Sequence, residues 1–182
     1  MEITMALLEN RNACSGGKEW FGNQKETNGR KIIEGFVTSQ EHLDWGNWLI
    51  CELMDKRQKN MYAIFAAEQV LDIFEKQYPE DKRPRLAIEE AKAVLKNNNA
   101  KTRAAAWDAA WAALDAVGAA GAAAGASGAA AWAAAGAAAG AAAGAAAWAS
   151  GDAAGDAAGA SGDAARAAMQ TKILQYGLKI LK

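Results

Sequence analysis

Five aspartates, three cations and one cysteine are the side chains of this chain whose types and spacing could do chemistry. Asp108, Asp115, Asp152, Asp156 and Asp163 punctuate a segment that is otherwise mostly alanine, glycine and tryptophan. The last three stand at i, i+4 and i+11, a spacing that projects carboxylates from one side of a helix. Such a row could imitate phosphates toward a basic groove, and it could equally serve solubility. Lys82, Arg83 and Arg85 form a basic turn. It could grip a phosphate or carboxylate, for which the guanidinium fork is suited, or pack on its own acidic neighbours.

Catalytic chemistry has less to stand on. Glu89-Glu90 and the set Glu68, Asp72, Glu75 could supply paired carboxylates for acid–base or metal work. Their lysine neighbours Lys76, Lys92 and Lys96 make them read as a solvated, ion-paired helix face. In "NACSGGKEW" Cys14 and Ser15 stand beside paired glycines, and the sole histidine, His42, would have to act as base. The plainer expectation is a helix that ends at Gly16-Gly17. No glycine-rich nucleotide loop follows a strand, and two cysteines without a CxxC pair assemble neither a zinc site nor a disulfide framework. The expectation is a non-enzyme with no catalytic residues, no metal and no cofactor.

Lys plus Arg total 20 and Asp plus Glu total 21, a net charge of −1 over 182 residues. That balance lacks the basic footprint of a nucleic-acid binder and the acidity of a bulk DNA mimic. The opening "MEITMALLEN" has acid where a secretion signal needs base, and its apolar run is broken by Glu9 and Arg11. A reduced, cytoplasmic setting is expected.

The elements that must position these groups fall into two regions, 1–100 with a mixed core and 101–182 rich in alanine and glycine. In the first, Met61, Ile64, Phe65, Ala67, Leu71, Ile73, Phe74 and Tyr78 recur at helical spacing, with Glu68, Asp72 and Glu75 in the gaps. Pro79 stops that helix and Pro84 opens the next, so the two form an antiparallel hairpin. Upstream, Leu43, Trp45, Trp48, Leu49 and Leu53 share one face of a helix with Ser39 as candidate N-cap. "TMALLENRNAC" and "GRKIIEGFV" read as shorter helices, and no alternating β-branched run suggests a sheet. The expected class is all-α, a helical bundle with a closely packed Ala/Gly-rich C-terminal region.

In the second region Gly118, Gly121, Gly125, Gly128, Gly136, Gly140, Gly144, Gly151, Gly155, Gly159 and Gly162 fall in one series with Trp107, Trp111, Leu114, Trp132 and Trp148. From Trp107 to Ile180 the step averages about 3.65 residues, close to the roughly 3.6 of an α-helix. Each glycine costs roughly 0.5–1 kcal/mol against alanine in a helix. Absent side chains offset this when a second backbone comes close, as in small-xxx-small helix pairs. The tryptophans then read as packing spacers. Corners are expected at Ser127-Gly128, Ser150-Gly151 and Ser161-Gly162. Met169, Ile173, Leu174, Tyr176, Leu178, Ile180 and Leu181 return to the main core. The segment leaves other readings open: disorder, because methyl groups bury little area, and a membrane span by length, against which alanine and glycine offer little transfer energy. The glycine face can pack within one chain or between two chains of a homodimer.

The stretches "LLENRNACSGGKEWF" and "NMYAIFAAEQVLDIFEKQYPEDKRPRLAIEEAKAVLKNN", joined to the alanine-rich tail, resemble the type II-A anti-CRISPR inhibitors of gut phages and prophages. "YPEDKRPRLAIEEA" is also similar to helical proteins described as immunity proteins of bacterial toxin systems. The first resemblance implies a protein of the bacterial cytoplasm that binds the guide-loaded nuclease of type II CRISPR systems, touches no nucleic acid directly and prevents DNA cleavage. Asp108, Asp115, Asp152, Asp156, Asp163, Lys82, Arg83 and Arg85 are the candidate partner-binding residues. The second implies neutralisation of a toxin, and an alanine-rich structural module is the third reading.

Overall fold

The computed structural model describes residues 1–120 and 163–182. Among them are eight helices and a single isolated antiparallel bridge, Glu2 to Asn28, so the class is all-α. They run α1 Met5–Asn10, α2 Ser15–Gly22, α3 Gly29–Ser39, α4 Leu43–Leu53, α5 Lys56–Gln77, α6 Arg83–Lys96, α7 Ala100–Ala120 and α8 Asp163–Ile180.

Most of these helices start where a short side chain can bond to their unpaired N–H groups. Thr4 Oγ1 accepts from Leu7 N at 3.2 Å, and Asn28 Oδ1 accepts from Lys31 N at 3.2 Å. Two starts are reciprocal capping boxes. Asp55 Oδ1 accepts from Gln58 N while Gln58 Oε1 accepts from Asp55 N, both at 2.8 Å, ahead of α5. Asn99 and Thr102 exchange the same pair of bonds at the start of α7.

Two expected boundaries are corrected. Gly16-Gly17 do not end a helix: α1 stops at Asn10, and the glycines sit in the first turn of α2, which Cys14 caps by accepting from Gly17 N at 3.3 Å. Ser39 does not cap α4; it is the last residue of α3. Gln40 and His42 both take left-handed backbone, with φ of 61° and 55°, which breaks the helix and restarts it at Leu43 without a side-chain cap.

The hairpin is as expected. Arg57, at the start of α5, donates to Leu95 O at the end of α6, and Glu75, near the end of α5, pairs with Arg85 at the start of α6. Pro84 is the second residue of α6, where its missing N–H is harmless. Tyr62, Ala63, Ala66, Ala67 and Val70 turn the inner face of α5 to the core.

α8 closes the bundle against α3, α4 and α5. Ile173, Leu174 and Leu181 are buried, and Met169, Tyr176, Leu178 and Ile180 pack on the same core, so the C-terminal helix does return to it. Tyr176 stacks on Phe65 with ring centroids 3.9 Å apart. Its end is tied by hydrogen bonds: Gln58 Nε2 donates to Ile180 O at 2.7 Å, and Arg30 donates to Leu181 O. Gln58, buried and missed from sequence, thus spends its amide oxygen on the α5 cap and its nitrogen on the end of α8.

α7 lies along α6, and the contact is made by methyl groups: Ala87 of α6 with Ala110 and Ala109 of α7. The glycine-lined packing expected of the second region falls mostly on residues outside those described. Among the described residues no helix is long and apolar enough to cross a membrane. The glycines from Gly121 to Gly162, the three expected corners, Trp132 and Trp148 lie outside the described residues.

Candidate functional site

All three cations of the basic turn are paired with two carboxylates of their own hairpin. Asp81 faces Arg83, with Arg83 Nε to Asp81 Oδ1 at 2.9 Å and a second bond from Nη2 to Oδ2 at 2.6 Å. Arg85 forks onto both oxygens of Glu75, and Lys82 Nζ lies 4.0 Å from the same carboxylate. Of the two readings open for Lys82, Arg83 and Arg85, the structure shows the packing on acidic neighbours. Glu68 is likewise held by Lys92 Nζ at 2.6 Å, so two carboxylates of the α5 face serve the hairpin.

These pairs leave a pH signature. The Arg85 hydrogen bond holds the Glu75 carboxyl below its ordinary value, and Arg83 does the same for Asp81. Lowered folded-state values mean that the contribution is complete above the ordinary carboxylate range and is lost as pH falls through those lowered values. Glu75→Gln is therefore expected to flatten the fall of stability below about pH 4, measured by urea midpoints across pH. An unchanged acid limb would show that Glu75 contributes nothing there.

The aspartates are only partly placed. Asp108 is exposed on α7, next to Trp107, whose ring is 47% exposed. Trp107 is thus not the buried spacer expected from the glycine–tryptophan series. Asp115 belongs to α7 and Asp163 opens α8, while Asp152 and Asp156 lie outside the described residues. The three cations share one turn, and Asp108 stands on a different helix.

Cys14 and His42 do not form a catalytic pair. The Cys14 sulfur accepts from Gly17 N. The His42 ring lies flat on Trp45, with centroids 4.0 Å apart and planes 3° from parallel, and meets Trp20 and Phe36 edge-on. His42 belongs to a shallow polar hollow with Gln40, Asp44 and Gln170, whereas Cys14 borders a separate apolar cavity of about 310 Å³. Cys51 is buried, and burial pushes its thiol up. Among the described residues no cluster of histidine, cysteine and carboxylates could hold a metal ion.

The cavity was missed from sequence. Its aromatic walls come from Trp20 and Phe21 of α2, Phe36 of α3 and Trp45 and Trp48 of α4; spacing marked Trp45 and Trp48 as one apolar face but gave no sign that the other three would meet them. Comparison with known protein families, with curated proteins and with solved structures finds no match.

Proposed function

We propose that this protein is a non-enzymatic inhibitor that binds the guide-loaded nuclease of type II CRISPR systems in the bacterial cytoplasm and prevents target cleavage. The reading rests on the resemblance carried by residues 7–21 and 60–98. The supporting structural observation is Trp107, 47% exposed on α7 and followed in sequence by the exposed Asp108, on a helix that packs on α6 through Ala109 and Ala110.

A tryptophan that a partner can cover is the residue type most enriched among binding hot spots. An adjacent carboxylate suits a protein that holds nucleic acid in positively charged channels. The ion-paired turn at Lys82, Arg83 and Arg85 makes a weak electrostatic lure, because two carboxylates, Asp81 and Glu75, already offset most of its charge. Docking by shape on α7 follows. The near-neutral total argues against flooding a basic channel with negative charge.

The test is co-migration of the purified protein with guide-loaded nuclease on size exclusion, followed by target binding and cleavage. Comigration with lost cleavage and retained target binding points to arrest of nuclease-domain movement; loss of both points to obstruction of the channel. A toxin-neutralising immunity protein would migrate apart from the nuclease and leave cleavage intact, which contradicts the proposal.

A further inference from the structure

The cavity beside α2 is a cleft, closed below by buried residues and open at the side of Asn12 and Cys14. An engineered apolar cavity of about 150 Å³ already takes up benzene, and small-molecule pockets begin at about 300 Å³. This one holds about 310 Å³.

Its walls are Trp20, Phe21, Phe36, Trp45 and Trp48, and its floor is the buried Ile3, Ile32 and Leu49. The walls touch one another, Trp20 meeting Phe36 at 4.9 Å and Trp45 at 6.5 Å between ring centroids, and His42 stacks on Trp45 from outside the lining.

The lining also selects by charge. Among the described residues no charged side chain borders the cavity, so an ionised ligand would lose its hydration without a partner there. The polar side chains are those of Asn12 and Cys14, both exposed, at the mouth formed by the α1–α2 loop. Ala13 and Gly17 beside them are small, which leaves the mouth open. Asn12 sits there with φ of 55°.

We propose that this cavity is a binding site for a neutral, largely aromatic small molecule of two or three fused rings, with any polar atom directed to Asn12 and Cys14. The site is independent of nuclease inhibition, and a failed titration here leaves that reading untouched.

The test uses 1-aminoanthracene, a neutral aromatic amine whose emission rises in apolar surroundings. Saturable one-to-one binding is expected to wild type. Ala13→Phe, which places a phenyl ring in the mouth, is expected to weaken it by about tenfold or more. A second readout needs no variant: saturating probe should slow alkylation of Cys14 by N-ethylmaleimide by about fivefold or more, with buried Cys51 giving no background in the folded protein. Absence of saturable binding, or binding that leaves the Cys14 rate unchanged, overturns the proposal.

Discussion

Leu174→Ala is expected to lower stability by about 2–5 kcal/mol, a large part of the roughly 5–15 kcal/mol that holds a domain together. Leu174 is fully buried in α8 and faces α4, where its Cδ1 would lie 3.3 Å from a Cβ added at Gly46. The opposing Gly46 has no side chain to offer, while Phe36 Cδ2 lies 3.3 Å from the same point and can take up part of the space. The end of α8 is tied by Gln58 and Arg30, which limits movement of the helix itself. Partial relaxation puts the loss inside that range and not at its top. Urea unfolding should show a lower midpoint with an unchanged slope. A loss under about 1 kcal/mol would mean that α8 is only loosely attached to α3, α4 and α5.

Gly177→Val carries the second large effect, and it tests close helix packing directly. A Cβ at Gly177 would stand 2.6 Å from Ile50 Cδ1 and 2.7 Å from Tyr62 Cε2. Ile50 Cδ1 is the end of a flexible side chain and can turn aside. Tyr62 cannot: its ring is fully buried and its hydroxyl donates to Asn47 Oδ1 at 2.6 Å. Overpacking of this kind costs about 1–3 kcal/mol, and the branched valine should reach or exceed the upper figure. Gly35 is the control, because nothing lies within 4 Å of a Cβ added there on exposed α3. Gly35→Ala should raise stability by about 0.5–1 kcal/mol through helix propensity alone. Opposite signs at the two glycines identify Gly177 as a place where a missing side chain admits a neighbour; the same sign at both would refute that.

Gly177 lies outside the alanine-rich segment, whose glycines from Gly121 to Gly162 are not among the described residues. The bare position lets α8 approach α4 and α5 until Ile50 and Tyr62 occupy the room a side chain would take. Periodicity made the α5–α6 hairpin and the return of α8 legible, because bulky residues at three- and four-residue spacing have only one place to go. The starts of α2 and α4 were not legible. They depend on a cysteine acting as cap and on Gln40 and His42 in left-handed backbone, which residue type alone does not announce. The Asp55–Gln58 box was readable in principle as "DKRQ", but the bond from Gln58 to Ile180 joins residues 122 positions apart and has no local signal.

The candidate partner-binding residues divide in the same way. For Lys82, Arg83 and Arg85 the sequence held both meanings, and adjacency to Asp81 together with the hairpin register to Glu75 decided for ion pairing. Trp107 reads as a spacer when placed in a helical series, because spacing says which residues share a face and not what covers it. In the structure Trp107 is 47% exposed on α7.

The central claim, that an alanine-packed helix offers Trp107 to a CRISPR nuclease, is tested most directly by one titration. Target cleavage by a guide-loaded type II nuclease is followed against rising wild-type protein and against Trp107→Ala. Wild type is expected to abolish cleavage near one inhibitor per nuclease, with the variant needing about tenfold or more for the same effect while unfolding at the same urea midpoint. Cleavage that continues unchanged at saturating wild-type protein would contradict the claim.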